Sequence, residues 1–188
     1  MNLLRGAPHP LPLPASGERE GPSQREGDGQ AASAARRELR RYPDRPIVGV
    51  LAVVLRGERA LVVRRANPPM AGRWGFPGGV LELGETVAEG AMRELSEETG
   101  VVADPIGTLT VIDTIDRDEK GGVRFHYTLV AVRARWRSGE GVAADDADEV
   151  AWLSRADIVE GGLATAPALL PLIELAQKAD YEETAQLQ

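Results

Sequence analysis

Three glutamates near the middle of the chain have the residue type and spacing of a cation site. Glu94, Glu97 and Glu98 lie at positions i, i+3 and i+4, so on a helix they share one face and repel one another. They also lie toward the C-terminal end of that helix, where the helix dipole opposes negative charge. A bound divalent cation would remove both costs, and carboxylate oxygens suit Mg²⁺ or Mn²⁺, which also bind phosphate. Taken alone, the same run is also typical of a solvated acidic helix face.

The helix that carries these glutamates is marked at both ends. Thr86 and Glu89 have the spacing of a capping box, in which each side chain satisfies a backbone N–H of the first turn. Gly100 stands where a left-handed C-terminal cap is favoured. The pattern therefore predicts a helix over Val87–Thr99. Its apolar stripe consists of Ala88, Ala91, Met92 and Leu95.

The segment Gly79–Val101 as a whole resembles a family signature. It reads G, five residues, E, seven residues, R-E, an aliphatic residue, any residue, E-E, any residue, G and an aliphatic residue. The matching residues are Gly79, Glu85, Arg93, Glu94, Leu95, Glu97, Glu98, Gly100 and Val101. A chance match at one starting position is on the order of one in 10⁹ from average composition. The segment resembles the box of the Nudix hydrolase family, and the wider sequence is similar to bacterial ADP-ribose pyrophosphatase-like and MutT-like members.

The resemblance implies an enzyme that cleaves the diphosphate of nucleoside diphosphates linked to another moiety, with Mg²⁺ as cofactor and Mn²⁺ as a substitute. It implies an α/β fold: an α/β/α sandwich with a mixed β-sheet and a loop-helix-loop catalytic motif. The implied metal ligands are Glu94, Glu97, Glu98 and the carbonyl of Gly79. Arg93 is similar to the family arginine that holds the glutamates in place. Glu85 is expected to support the loop or a further metal, and Gly100 to end the helix.

The general base is left open by the resemblance. In this family it is sometimes a box glutamate, here Glu97 or Glu98, and sometimes an acid on a distant loop. Four acidic residues before a short strand are candidates for that loop, and each is equally typical of an acidic surface turn. These are Asp145, Asp146, Asp148 and Glu149, of which Glu149 is taken as the catalytic candidate.

Residues outside the box are candidates for substrate binding. Arg64 and Arg65 end a predicted strand and could bind a phosphate or form a surface ion pair. Trp74 could stack on a base or serve as a core residue. Phe125 and Tyr127 alternate along a predicted strand, so they share a face and could line a pocket.

Three functions remain open. The first is hydrolysis of a nucleotide sugar such as ADP-ribose, and the second is a MutT-like pyrophosphatase of oxidised nucleoside triphosphates. The third is a non-catalytic domain that binds a nucleotide. A complete glutamate set argues against the third, because binding alone does not require every glutamate.

Composition limits the remaining classes. The chain has 188 residues, no cysteine and two histidines, which excludes disulfides, a cysteine nucleophile and a Cys/His zinc cluster. A net charge of −7 disfavours a nucleic-acid polymer as partner. The longest apolar run, residues 48–55, is too short to span a bilayer, which takes about 20 residues. We expect a cytoplasmic protein with a small nucleotide substrate, and a homodimer with contacts near residues 42–47.

The predicted elements divide the chain into two parts. Residues 1–45 lack Val, Ile, Phe and Trp and are rich in proline, which predicts a disordered tail. Residues 46–188 are predicted to form the Nudix domain, with a long loop over 67–84. Strands are predicted at Ile47–Leu55, Ala60–Arg64, Ile106–Ile115, Val123–Trp136 and Val150–Leu153, and a final helix from about Ala168 to Lys178.

Overall fold

The computed structural model describes Glu38, residues 40–67 and residues 70–186. Contacts divide the chain into a unit of residues 1–39 and a unit of residues 40–188, and every element below belongs to the second. The predicted tail, residues 1–45, lies mostly outside the described residues. Tyr42 is described, and its backbone N–H donates to the carbonyl of Arg124 at 2.9 Å. Within the described ranges, no helix is both long and apolar enough to cross a membrane.

Seven strands and three helices make up the described fold. In chain order they are β1 (Ile47–Arg56), β2 (Arg59–Arg65), β3 (Trp74–Gly75), β4 (Gly78–Val80), α1 (Val87–Thr99), β5 (Val102–Arg117), β6 (Val123–Ser138), β7 (Ala147–Ser154), α2 (Arg155–Glu160) and α3 (Leu169–Gln186).

The strands form one mixed sheet that opens in its middle. β1 runs parallel to β6, and the other pairings are antiparallel. β1 and β2 pair only at residues 55–56 and 59–60, after which they diverge. β4 pairs with the start of β1, and β3 pairs with the end of β2. The two short strands therefore fill the gap between β1 and β2 and bring the Gly78–Gly79 backbone into the sheet.

Two apolar clusters cover the two faces of the sheet. Val50, Ala52 and Val54 of β1 pack with Ala91 and Leu95 of α1. Residues of the opposite face pack with α2 and α3; in that cluster the buried residues are Val53, Ala60, Val62, Trp74, Phe76, Ala131, Ile158, Leu169, Leu172, Ile173 and Ala176. Because strand side chains alternate between faces, β1 contributes side chains to both clusters. The predicted sandwich with a mixed sheet is confirmed.

The structure corrects three sequence predictions. Residues 67–84 are not a single loop, because β3 and β4 lie within them. Helix α2 was not predicted, although Ser154 and Asp157 form its capping box. Helix α3 continues to Gln186 rather than ending near Lys178, and Glu183 in its last turns forms ion pairs with arginines of β6.

Candidate functional site

The helix that carries the glutamates begins and ends at its predicted residues. Thr86 Oγ1 accepts from the backbone N–H of Glu89 at 3.2 Å, and Glu89 Oε2 accepts from the backbone N–H of Thr86 at 2.8 Å. Gly100 closes the helix with φ 65°, a left-handed conformation that favours glycine. These caps fix where α1 begins and ends, and the packing of Ala91 and Leu95 against β1 sets the direction of the glutamates.

Glu98 points from α1 into the protein. Its side chain is 2% exposed, and Oε2 accepts the backbone N–H of Gly78 at 3.0 Å. Burial raises the pKa of Glu98 to about 7, against the opposing effects of the Arg65 charge and of this hydrogen bond. The positive charge around Glu98 is therefore too small to offset the free-energy cost of burying its ionised form.

Two glycines of β4 allow the sheet to approach the glutamates. A Cβ on Gly78 would lie 2.1 Å from the carbonyl oxygen of Val50. A Cβ on Gly79 would lie 2.3 Å from Oε1 of Glu94. Neither position has room for a side chain, so the backbone itself is presented to the carboxylates.

Arg93 joins the carboxylates of the loop to those of the helix. Its Nε and Nη2 donate to the two oxygens of Glu85 at 2.6 and 3.0 Å, a bidentate pair. Its Nη1 donates to Glu94 at 2.8 Å and to Glu97 at 3.0 Å. Nη2 also donates to the carbonyl of Val80 at 3.2 Å. These carboxylates hold the pKa of Arg93 above its ordinary value, so its charge is permanent.

The three helix glutamates differ in burial. Burial raises the pKa of Glu94, opposed chiefly by its hydrogen bond from Arg93, whereas the side chain of Glu97 is half exposed. Among residues 38, 40–67 and 70–186, no three acidic or histidine side chains converge closely enough to enclose one ion. The donor chemistry nevertheless fits a hard divalent cation, because two of the carboxylates are buried with insufficient positive charge around them.

Other elements bring charges to the same place. Arg65, at the end of β2, donates to the carbonyl of Gly78 at 3.5 Å, and its charge acts on Glu98. On the loop before β7, the charge of Asp145 acts on Glu94 and that of Asp146 acts on Glu98. The structure thus gathers one of the two predicted arginines and two of the four candidate acids around the glutamates.

Glu149 and Arg64 lie elsewhere. They are directly opposite each other on β7 and β2 and form an ion pair of 2.6 Å. Ala151 and Leu153, on the same side of β7 as Glu149, pack in the cluster that contains α3. Glu149 therefore lies on the face of the sheet opposite α1, held by Arg64, and its assignment as catalytic base lacks geometric support.

The aromatic candidates lie on that same face. Trp74 is 9% exposed within the core cluster, as expected for a core residue rather than for a ring that stacks on a base. Phe125 and Tyr127 are half-buried and stack on each other, with ring centroids 6.4 Å apart. Their face follows from Ala131 of the same strand, which packs with α3. These two rings remain available to contact a ligand.

The sequence and structure can now be placed among known proteins. A family model of the NUDIX domain matches residues 45–173, more than half of the chain. The chain belongs to the Nudix family. The predicted family is therefore confirmed, and the glutamate cluster described above is its Nudix box.

Two relatives of known sequence are named for different activities. The chain is 34% identical over 116 residues to an ADP-ribose pyrophosphatase of Methanocaldococcus jannaschii, which covers 61% of this chain and 66% of the relative. It is 37% identical over 110 residues to a putative 8-oxo-dGTP diphosphatase 2 of Mycobacterium tuberculosis, covering 58% and 74%. The match thus spans about two thirds of the first relative and about three quarters of the second.

Solved structures share the Nudix fold. A MutT NUDIX hydrolase from Burkholderia pseudomallei superposes with a TM-score of 0.61 at 28% identity, covering 70% of this chain and 98% of that one. The NUDIX domain of Shewanella oneidensis NrtR, complexed with ADP ribose, gives 0.59 at 26%, covering 73% and 90%. A bifunctional NMN adenylyltransferase/ADP ribose pyrophosphatase of Francisella tularensis, complexed with AMP and a Mn ion, gives a TM-score of 0.56 at 25% identity. The match covers 81% of this chain and 47% of that one. One of these structural neighbours thus contains a divalent metal ion.

Proposed function

We propose that this Nudix domain is a Mg²⁺-dependent pyrophosphohydrolase that cleaves the diphosphate of a nucleoside diphosphate derivative, with ADP-ribose or a related nucleotide sugar preferred. The observation that carries the proposal is the pairing of buried Glu98 with the backbone N–H of Gly78, beside Glu94, which in turn accepts from Arg93. This arrangement concentrates hard oxygen donors where the backbone is bare enough for a diphosphate to approach. The 34% identity to an ADP-ribose pyrophosphatase supports the substrate preference.

The cation would be held by Glu94, Glu97 and Glu98, with Mn²⁺ as a substitute for Mg²⁺. When bound, such an ion neutralises diphosphate charge and lowers the pKa of a water molecule. A backbone carbonyl is expected to assist. The sequence suggested that of Gly79, and the structure adds that of Gly78 as a second candidate, because the Gly78 carbonyl accepts from Arg65 beside Glu98.

Residues on one face of the sheet would hold the cation and the diphosphate, and residues on the other face would contact the nucleoside. Arg93 orients the helix glutamates while Glu85 fixes Arg93, so the carboxylates keep their direction as charge accumulates nearby. Arg65 would contact a phosphate oxygen at the Gly78 edge. Phe125 and Tyr127 would contact the nucleoside on the opposite face. A substrate would therefore extend around the end of the sheet at the start of β1, which pairs with both β4 and β6.

The acid that accepts a proton from the attacking water is proposed to come from the loop before β7 or from the box itself. Asp145 and Asp146 are favoured over Glu149, because their charges act on Glu94 and Glu98. Glu149 faces the other side and is neutralised by Arg64. Within the box, Glu97 is the most exposed of the three helix glutamates and remains an alternative base.

The test is a hydrolysis screen with identification of the products. Purified full-length protein with Mg²⁺ is given ADP-ribose, other nucleotide sugars, and ordinary and oxidised nucleoside triphosphates. Release of AMP and ribose 5-phosphate from ADP-ribose, lost in Glu98→Gln and in Glu97→Gln, is the expected result. Glu119→Gln is the matched control, since Glu119 is an exposed glutamate of the β5–β6 connection. Full activity in both box variants would overturn the assignment of the glutamates.

The second candidate is a MutT-like nucleoside triphosphate pyrophosphatase. The 37% identity to a putative 8-oxo-dGTP diphosphatase favours it. It is distinguished by its products, a nucleoside monophosphate and pyrophosphate. No hydrolysis of any compound by the folded protein, with either cation, would instead favour a domain that only binds nucleotides.

The remaining expectations are part of the same proposal. A small nucleotide rather than a nucleic-acid polymer is the proposed partner, in keeping with the negative net charge, and the cytoplasm is the proposed location. A homodimer is proposed to involve residues 42–47. Tyr42 of that segment contacts the β5–β6 hairpin of its own chain through Asp118, at 3.1 Å. Sedimentation equilibrium would decide the oligomeric state.

A further inference from the structure

An arginine is enclosed by two tryptophans at the C-terminal end of β1. The Arg56 guanidinium carbon lies 4.4 Å from the centre of the Trp136 ring and 4.9 Å from that of the Trp152 ring. Both distances are within the range of a cation–π contact. Its Nη1 also donates to Glu140 at 2.8 Å. We call Arg56, Trp136, Trp152 and Glu140 the arginine cage.

The cage holds the start of one loop. Trp136 Nε1 donates to the carbonyl of Gly139 at 2.9 Å, and Trp152 Nε1 donates to the carbonyl of Glu140 at 2.8 Å. With the ion pair from Arg56, three side chains from β1, β6 and β7 converge on two consecutive loop residues. The first residues of the 139–146 loop are therefore fixed to the sheet.

The loop then crosses the C-terminal end of α1. The backbone N–H of Val142 donates to the carbonyl of Thr99 at 2.9 Å, and that of Ala144 donates to the carbonyl of Glu98 at 3.1 Å. These carbonyls belong to the last turn of the helix and have no partner within it. The loop is thus tied to the same helical turn that carries Glu98.

The loop ends beside the glutamates. Asp145 has φ 50°, a left-handed conformation that costs free energy in a residue other than glycine and persists only where the surroundings impose it. Asp146 accepts from Asn67 Nδ2 at 3.0 Å, and its carbonyl accepts from the N–H of Ala66 at 2.9 Å. Both acids thus lie at the end of a loop that is held in three places: at its start by the cage, at Val142 and Ala144 by α1, and at its end by residues 66–67.

We propose that Arg56 is a positioning residue, which fixes the start of the 139–146 loop and thereby sets where Asp145 and Asp146 lie relative to the box glutamates. The inference rests on the proposed function, since the position of these acids matters for turnover only if the glutamate site is the reaction centre. Arg56 itself does not contact the site: Gly78 and Gly79 pair with the start of β1, and Arg56 is its last residue.

The first test measures the loop directly. Arg56→Met keeps an unbranched apolar side chain between the tryptophans and removes the charge and the donors. Hydrogen–deuterium exchange of the Val142 and Ala144 amides is expected to become faster, by about tenfold or more. The reason is that local opening of the loop costs less free energy once the contacts of Arg56 at its start are lost. Arg155→Met is the control, since Arg155 also forms a 2.8 Å ion pair, with Glu174, away from the loop. The control should leave these two amides unchanged.

The second test measures whether the loop position matters to the site. We expect kcat of Arg56→Met to fall about tenfold, the lower end of the effect of removing an outer-shell partner, with little change in KM. Arg56→Lys keeps a cation in the cage and should recover part of the loss. If the two residues act together, Asp145→Asn should lower kcat by a smaller factor in the Arg56→Met protein than in the unmutated protein, because Asp145 is already displaced there. In the Arg155→Met protein, Asp145→Asn should lower kcat by the same factor as in the unmutated protein.

The outcomes separate the two proposals. Unchanged amide exchange in Arg56→Met, or faster exchange with unchanged kcat and unchanged Mn²⁺ affinity by titration calorimetry, overturns the positioning role. A lack of hydrolysis by the unmutated protein overturns the proposed function alone, and the positioning role is then judged from exchange and from Mn²⁺ affinity. Should Arg56→Met not fold, Glu140→Gln takes its place, because Glu140 is exposed and its substitution leaves the tryptophans intact.

Discussion

The backbone N–H of Gly78 donates a 3.0 Å hydrogen bond to Oε2 of Glu98 and so joins β4 to α1. The bond ties the helix of the Nudix box to the sheet through one of its own carboxylates. The same carboxylate is buried, and burial raises its pKa to about 7. Stability and the proposed cation binding therefore depend on one side chain.

The first prediction concerns stability against pH in the absence of divalent cations. Glu98 titrates near 4.5 in an unfolded chain and at about 7 when folded, so between these values the folded state holds the additional proton. Stability from this group is therefore present below pH 4.5 and is lost as the pH rises toward 7, by about 3 kcal/mol in all. Urea denaturation in EDTA at pH 5 and pH 8 should show this loss relative to Glu98→Gln. An equal pH dependence in the two proteins would contradict the assigned shift.

The second prediction concerns the close approach of β4 to β1. Gly78→Ala would place a Cβ 2.1 Å from the Val50 carbonyl oxygen, so the strand must move, and we expect a loss of about 1–3 kcal/mol of stability. Gly107→Ala is the control, because a Cβ there meets no atom within 4 Å. Chemical denaturation compares the two. Equal stabilities would show that β4 can shift without cost.

The parts of the fold that sequence could predict are those fixed by local interactions. Helix α1 was predicted with its observed bounds because Thr86, Glu89 and Gly100 act within one turn of its ends. The grouping of Glu94, Glu97 and Glu98 follows from helical spacing alone. By contrast, β3 and β4 are two and three residues long, and they exist through pairing with β2 and β1 rather than through propensity. Glycine and proline in that stretch favour a loop.

The proposed preference among the candidate acids rests on the register of β7. Glu149 lies opposite Arg64, and this pairing places it on the face away from α1. Asp145 and Asp146 come earlier, where the chain turns toward the helix. The arginine cage likewise joins residues from three strands, and no local pattern connects Arg56 with Trp136 or Trp152. These relationships depend on strand register, which the sequence leaves open.

The third prediction concerns the fork between Arg93 and Glu85. Lysine keeps the charge of Arg93 but cannot make the bidentate pair while also reaching Glu94 and Glu97. We expect Arg93→Lys to lower kcat about 10–100-fold, as is typical when a group that orients ligands is lost. Arg124→Lys is the control, since Arg124 forms a comparable pair of 2.6 Å with Asp116 near the β5–β6 hairpin. Steady-state kinetics with circular dichroism would check both, and a kcat for Arg93→Lys equal to that of the control would count against the orienting role.

The fourth prediction concerns the face opposite α1. If Phe125 and Tyr127 contact the nucleoside, removing one ring weakens binding without moving the glutamates, because α1 lies across the sheet. Base stacking on an aromatic side chain contributes about 1–3 kcal/mol, so Tyr127→Ala should raise KM for ADP-ribose by about 5–150-fold with little change in kcat. Tyr181→Ala, at an exposed tyrosine of α3, is the matched control. A loss confined to kcat would instead place Tyr127 among residues that support the reaction centre, and an unchanged KM would remove Tyr127 from the nucleoside site.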